Sequence, residues 1–361
     1  MKKIAFFISA MEGGGAERVV LNLLKGMLSG DVSLDLVIAD AHGPYLEQIP
    51  EQVRIINLGA KRVIKAIVPL SDYLQKNKPS VLISHMSHVN VVAVMANKLA
   101  GTKTQLILVE HDTLSATKFN LIRGRFVPLF MKLLYPHADA IVGVSEAASR
   151  DLETQIGLKK GSVKTIYNPV VDCNLISQAQ ADINHPWFEP GTPPVFLAIG
   201  RLTLKKDFLT LIKAFSIFRK TTKARLIILG EGELRDELTV TIKTLGVADD
   251  VSLPGFVTNP YAYMSKADAF ILSSRWEGLP TVLIEAMACG CPVISTDCPS
   301  GPREILEGEK YGHLVSVGDV EAMSEAMFEV LQNPQNKQTL MQRAMYFSVD
   351  KAVENYFKLL A

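Results

Sequence analysis

Short runs of apolar residues alternate with segments of helical periodicity along almost the whole chain, and partway through the alternation starts again. Ile4–Ser9, Leu34–Ala39, Val81–Ser84, Leu106–Val109, Ala140–Val144 and Val163–Tyr167 read as strands. Between them Ala16–Leu28, Val89–Leu99 and Glu146–Ile156 place apolar residues at helical spacing. Strands this short and this uniformly apolar, separated by helices, belong in a parallel sheet covered on both faces. A second series follows, with strands over Val195–Gly200, Leu226–Gly230, Val251–Leu253, Ala269–Leu272 and Pro292–Ser295 and helices over Phe208–Arg219 and Leu234–Leu245. The stretch from Asn168-Pro169 to Pro190-Gly191-Thr192-Pro193-Pro194 reads as a linker, because proline neither continues a helix nor donates to a sheet. The 361 residues therefore divide into two α/β domains, 1–172 and 173–346. Both are expected to be Rossmann-like and to face a central cleft, with ligands at the carboxyl ends of their strands.

Charge excludes some partners. Lys+Arg number 38 against 37 Asp+Glu, a net of +1, so no overall field recruits nucleic acid. The four cysteines, Cys173, Cys289, Cys291 and Cys298, do not form the layout of a secreted disulfide framework, and a reducing cytosol is the expectation. Ile4–Met11 follows two lysines as a signal peptide does, but Glu12 and a glycine triplet end it after eight residues. Nowhere do 18 apolar residues run without a charge, so no spanning helix is predicted. The charge is unevenly shared: residues 1–172 hold 20 Lys+Arg and 15 Asp+Glu, a net of +5, and residues 173–361 hold 18 and 22, a net of −4. Lys61, Arg62 and Lys65 share one amphipathic stretch. Lys118, Arg123, Arg125 and Lys132 share another, interleaved with Phe119, Leu121, Ile122, Phe126, Leu129 and Phe130. Basic amphipathic segments of this kind lie on anionic membrane surfaces, although a packed surface helix has the same pattern.

The familiar nucleotide signatures fail. After Glu12-Gly13-Gly14-Gly15-Ala16-Glu17, Arg18 stands where a dinucleotide fingerprint needs its third glycine, and no P-loop occurs. There is no D-x-D metal clamp and no zinc spacing, so no metal is expected. What survives is the glycine triplet at a strand-to-helix turn, where backbone N–H groups can approach an anion. In the second half Gly200-Arg201 ends a strand and Lys206 follows, so that guanidinium and ammonium can reach one polyanion. Gly230-Glu231-Gly232 suits a ribose or base edge, and equally a helix-capping turn. The strongest signal is Ser273 to Ala288, which places Glu277 in a loop and Glu285 about a turn and a half into a helix starting near Pro280. The N–H groups of Gly278, Leu279, Pro280's successor Thr281 and their neighbours would then face a diphosphate at the helix N-terminus.

Glu277 and Glu285 in an E-x7-E pattern, with Gly200-Arg201 and Lys206 ahead of them and a Gly-Gly loop near the N-terminus, resemble the retaining glycosyltransferases of family 4. The resemblance covers essentially the whole chain. Gly14-Gly15-Ala16-Glu17-Arg18 and Glu277 through Glu285 look most like bacterial HexNAc transferases that extend lipid-linked oligosaccharides. It implies the GT-B fold, with a C-terminal helix over about 347–361 returning to the first domain. It also implies that Glu277 holds donor-sugar hydroxyls, that Glu285 holds the ribose, and that Arg201 and Lys206 neutralise the diphosphate. The Gly13–Gly15 loop, with Gly14 and Gly15, would close over that diphosphate, and Glu231 and the backbone around Phe256 and Val257 would contact the nucleoside. His111, in Val109-Glu110-His111-Asp112, matches the active-site histidine near the donor sugar. Glu17, Arg18, Lys61, Arg62, Lys65, Arg123 and Arg125 would serve the acceptor or the membrane. Asp207 departs from the commoner glycine or asparagine, and His85 and His88 have no counterpart.

The expected activity is transfer of a hexose or N-acetylhexosamine from a UDP-sugar to a glycan hydroxyl with retention and without metal. The acceptor implied is a lipid-linked oligosaccharide at the cytoplasmic face of the inner membrane, with the enzyme a peripheral cytoplasmic protein. Competing readings are a sugar-nucleotide epimerase on the same fold and a non-catalytic carbohydrate- or lipid-binding protein. A nicotinamide dehydrogenase is disfavoured by Arg18.

Overall fold

In the computed structural model, which describes residues 2–115 and 127–360, β1 (Lys2–Ile8) keeps Ile4 to Ile8 wholly out of solvent. It is joined by β2 (Val32–Ile38), β3 (Arg54–Asn57), β4 (Val81–His85), β5 (Gln105–Glu110), β6 (Ala140–Gly143) and β7 (Val163–Thr165). Every pairing is parallel, in the order β3-β2-β1-β4-β5-β6-β7. Helices cover the sheet, and each fully buried Ile, Phe or Leu contributes about 1.5–3 kcal/mol. The second sheet has β8 (Val195–Ile199), β9 (Arg225–Leu229), β10 (Val251–Gly255), β11 (Ala269–Leu272), β12 (Val293–Thr296) and β13 (His313–Val315). Its order is β10-β9-β8-β11-β12-β13, again all parallel. In its core the Phe196 and Phe218 rings meet edge to face at 5.3 Å.

Each sheet is doubly wound: the chain adds strands on one side of β1 (or β8), then returns to add the rest on the other. The reversal falls between β1 and β4 in the first sheet and between β8 and β11 in the second. Those two crevices, at the carboxyl ends of the strands, are where such sheets bind ligands.

The chain divides into Met1–Pro169 with Val349–Ala361, and Val170–Ser348. The break falls three residues before the expected boundary, and the expected linker is structured. Asp172 caps a helix over Cys173–Ala179, accepting from the Leu175 N–H at 2.7 Å, and Pro186–Phe188 forms a short 3-10 turn. Turn-forming residues open these elements instead of separating domains. The helix Val349–Leu360 lies on the helix Gly15–Met27 within the first unit. Gly26 makes that approach possible, since a Cβ there would sit 2.5 Å from Val349 Cγ1 and 2.8 Å from Val353 Cγ2.

β3 and β13 were not predicted. β3 reads as Arg-Ile-Ile-Asn and is largely exposed; it pairs with β2, and Arg54 adds a bond to the buried Asp35 carboxylate of β2 at 3.0 Å.

Candidate functional site

In the second unit three strand-end loops meet around the β8/β11 crevice. β8 runs into Gly200–Asp207, β9 into Gly230–Gly232, and β11 into Ser273–Pro280. The loops are pinned to each other by their backbones. Arg275 N donates to Lys205 O at 2.8 Å, Leu202 N to Glu231 O at 2.9 Å, and Ser273 Oγ to Lys206 O at 2.7 Å. On the far side Ser300 Oγ donates to Gly278 O at 2.7 Å. Asp207 is the fastener of the set. Its backbone is left-handed (φ 48°, ψ 45°), its carboxylate is buried, and Arg275 donates to both oxygens at 2.9 and 3.2 Å. The residue that departed from the family pattern thus satisfies the same backbone need, because aspartate tolerates this conformation almost as asparagine does.

Within this frame Glu277 is buried and held by two lysines. Lys206 Nζ donates to Oε1 at 2.6 Å, Lys205 Nζ lies 3.2 Å from Oε2, and Ser274 Oγ donates to Oε1 at 2.8 Å. Burial works to raise the Glu277 carboxyl, but the charges of Lys206 and Lys205 and the Lys206 and Ser274 hydrogen bonds outweigh it and bring it down to about 2. Lys206 reaches the carboxylate by passing over Gly200, where a Cβ would come within 2.9 Å of Lys206 Cε. Arg201 is exposed on the same loop. Three cations and one carboxylate leave this corner with a net charge of +2.

The helix Thr281–Ala288 starts directly after this loop, one residue later than expected, with Pro280 at its N-cap. Gly278, Leu279 and Pro280 are buried and Thr281 half-buried. Glu285 sits just over one turn in and is also buried. Glu231 is exposed and paired with Arg235 at 2.9 Å, and the Phe256 ring, 79% exposed, stands beyond β10 next to the half-buried Val257.

The first unit carries a separate polar cluster at the β1/β4 crevice. The glycine triplet does form the turn after β1, with Gly13 at φ 97°, Gly14 as N-cap and Gly15 opening the helix. Glu17 folds back over Gly14, where a Cβ would meet Glu17 Oε2 at 2.5 Å. Arg18 donates to Tyr45 Oη at 3.0 and 2.7 Å and lies 4.8 Å over its ring. His111 follows β5, half-buried, and its Nε2 is 2.9 Å from Nδ1 of the fully buried His85 at the end of β4. Burial lowers His111 to about 4, against the opposing charge of Asp112, and burial together with the neighbouring His111 holds His85 well below the usual histidine range. The neighbouring Glu110 is buried and accepts from Tyr135 Oη, from Ser87 Oγ at 2.7 Å and from Asn90 Nδ2 at 2.7 Å. Burial nonetheless raises its pKa. His88 is exposed.

Lys61, Arg62 and Lys65 are all exposed, the first two just ahead of a short 3-10 turn over Val63–Ala66 and Lys65 within it. Lys118, Arg123 and Arg125 lie outside the described residues. Lys205, Ser274 and His85 were not assigned roles from the sequence; Ser274 lies on the Glu277 loop itself, while only the meeting of loops and strand ends brings Lys205 to Glu277 and His85 to His111.

The family model "Glycosyltransferase Family 4" matches residues 13–172, and "Glycosyl transferases group 1" matches residues 180–346. The chain is 32% identical, across 95% of its length and 94% of the relative's, to N-acetylgalactosamine-N,N'-diacetylbacillosaminyl-diphospho-undecaprenol 4-alpha-N-acetylgalactosaminyltransferase of Campylobacter jejuni subsp. jejuni serotype O:2. It is 28% identical, across 100% and 99%, to the GalNAc-alpha-(1->4)-GalNAc-alpha-(1->3)-diNAcBac-PP-undecaprenol alpha-1,4-N-acetyl-D-galactosaminyltransferase of the same organism. Among solved structures, Anabaena Alr3699/HepE in complex with UDP shares the fold at a TM-score of 0.78 and 20% identity, covering 100% of this chain and 99% of that one.

Proposed function

The chain belongs to the family 4 glycosyltransferases of GT-B fold, and on that footing we propose that it moves an N-acetylhexosamine or hexose from a UDP-sugar to a hydroxyl of a polyprenyl-diphosphate-linked oligosaccharide, retaining anomeric configuration and using no metal ion. The support for the acceptor is the undecaprenyl-diphosphate-linked glycans on which the Campylobacter relatives act, and for the nucleotide the UDP held by the Anabaena neighbour. The observation that carries the donor assignment is the buried Glu277 clasped by Lys205 and Lys206 at the crevice of the second sheet, beside a helix N-terminus.

As the bond from the sugar's anomeric carbon to the diphosphate breaks, negative charge builds on the departing UDP. Lys206, Arg201 and the N–H groups of Gly278, Leu279 and Thr281 are placed to meet that charge. Lys205 keeps Glu277 ionised when Lys206 turns to the phosphate, and Glu277 and His111 take donor-sugar hydroxyls. The acceptor oxygen bonds to the same face of the anomeric carbon, and its proton passes to the leaving diphosphate. Glu285 takes the ribose, and Glu231, Phe256 and Val257 border the nucleoside.

The test is release of nucleotide from a panel of UDP- and GDP-sugars with EDTA present, with and without a polyprenyl-diphosphate glycan. Turnover of one UDP-HexNAc into an elongated glycan is expected. Consumption of the donor to an isomeric sugar nucleotide without acceptor would replace the reading with epimerisation, and failure of UDP to raise Tm would remove it.

Peripheral membrane contact belongs to the same proposal. No helix among the described residues is long and apolar enough to cross a bilayer. The segment Val63–Asn77 and the helices Ser87–Ala100 and Val127–Leu134 pack side by side on one face of the first sheet. Their outer sides expose Ile64 and Val68, Met95 and Leu99, and Leu129, Phe130 and Leu133, ringed by exposed Lys61, Arg62, Lys65, Lys98 and Lys132. Such an apolar patch with cations at its rim fits an anionic bilayer. The protein is expected to float with phosphatidylglycerol vesicles and not with pure phosphatidylcholine. Leu99→Glu with Leu133→Glu should abolish flotation while UDP still binds, and equal flotation of wild type and variant would reject this face.

A further inference from the structure

Two histidines from neighbouring parallel strands share one hydrogen bond, and the fold has gone to some cost to arrange it. The register pairs His85 with Val109, so the end of β4 lies beside β5 and His111, two residues further on, can reach back to it. His85 is fully buried between the Phe6 ring, stacked at 5.9 Å, and the His111 ring at 5.2 Å. The residue after it, Met86, holds φ 77° and ψ 138°, a conformation a bulky side chain rarely adopts, and its N–H donates to Val109 O at 3.1 Å. Backbone strain of this kind persists only where the surroundings enforce it.

The bond between His85 Nδ1 and His111 Nε2, 2.9 Å long, needs one proton between the two nitrogens. His85 Nε2 is buried with no partner among the described residues. Were the His85 proton on Nε2, a buried N–H would be orphaned, a rarer defect than an unused acceptor. Glu110, the nearest buried carboxyl, is taken up by Tyr135, Ser87 and Asn90, so its hydrogen bonds go elsewhere.

We propose that His85 is a positioning residue: it donates from Nδ1 to His111 Nε2 and thereby holds His111 in the Nδ1–H tautomer. Resting on the reading of His111 as a donor-sugar contact, this makes His111 a neutral hydrogen-bond donor through Nδ1–H, offered to a sugar oxygen, and not an acceptor of a hydroxyl proton. Burial, which lowers both rings, keeps the pair neutral at pH 7.

The experiment is a long-range proton–nitrogen NMR spectrum of the whole protein labelled with 15N-histidine, the His111 signals assigned by their loss in His111→Phe. A protonated Nδ1 and a bare Nε2 are expected for His111. In His85→Phe, which keeps the stack on Phe6 but has no donor, His111 should revert to the commoner Nε2–H form, and kcat/KM should fall roughly tenfold or more. His85→Asn, whose amide can donate from the place of Nδ1, should restore both the tautomer and most of the activity. A wild-type spectrum with the proton on Nε2 overturns the proposal without any variant, as does a His111 tautomer unchanged in His85→Phe. If the tautomer behaves as described but His111→Phe retains full turnover, the positioning stands and the reading of His111 as a donor-sugar contact fails.

Discussion

Glu277→Gln is expected to lower kcat/KM by about a hundred- to a thousandfold, the range that follows removal of one preorganised charged group from a transferring site. Glutamine keeps the shape but not the charge. Lys206 Nζ, which donates to Oε1 at 2.6 Å, and Lys205 Nζ, 3.2 Å from Oε2, then lose the anion that fixes them. A sugar hydroxyl loses its charged acceptor in the same step. Near-wild-type turnover by Glu277→Gln would end the assignment. The same variant reports on stability, and the sign can be worked out. The folded pKa of about 2 is depressed below the ordinary 4.5. The ionised form therefore contributes stability that is fully present above pH 4.5 and lost as the pH falls toward 2. A difference of that size is worth about 3 kcal/mol at neutral pH, of which roughly 2 kcal/mol is gone by pH 3. Urea denaturation at the two pH values should show the gap between wild type and Glu277→Gln narrowing in acid. A gap that widens would mean the carboxyl is not held down by its lysines.

Asp207→Ala should cost about 3 kcal/mol of folding stability and weaken UDP binding at least tenfold. Two effects combine. Alanine at φ 48° is strained by about 1–2 kcal/mol where aspartate is tolerated. Losing a buried carboxylate also breaks a bidentate pair, but Arg275 is 42% exposed and can turn to water, which holds that part below the 3–5 kcal/mol of a fully buried pair. Asp207→Asn separates the terms, since it keeps the backbone preference and an acceptor for Thr210, which donates at 3.0 Å. It should lose about half as much. The functional loss follows from position: Asp207 and Arg275 tie the loop bearing Lys205 and Lys206 to the loop bearing Glu277. Denaturant melts and UDP titration of both variants decide it, and an unstable Asp207→Asn with intact UDP affinity would contradict this division.

The strands buried on both faces were legible because a parallel sheet demands apolar residues at every position. β3 was not, because Arg54 contributes through an ion pair with Asp35 that only the folded neighbour supplies. The helix Phe208–Arg219 matched its periodicity residue for residue, while the cap Asp172 and the turn-opening Pro186 were read as linker, since the same residues serve both. In the second unit Glu277, Glu285, Arg201 and Lys206 could be singled out by spacing and motif, while His111 in the first unit was named only through the family resemblance. Lys205 could not, because a lysine beside a lysine on a loop looks like solvated surface until a carboxylate closes on it. His85 was noticed but given no role, because its partner is set by strand register, not by distance along the chain.

The helix Val349–Leu360 completes a unit whose other residues end at Pro169. During synthesis the whole second unit, Val170–Ser348, leaves the ribosome first. At typical elongation rates the groove around Gly26 then waits roughly ten to forty seconds for Val349 and Val353 to fill it. A stop codon or a protease cut just ahead of Val349 would accordingly injure the half of the enzyme translated earliest, stripping the cover from its first helix while the second unit is left with its own core whole.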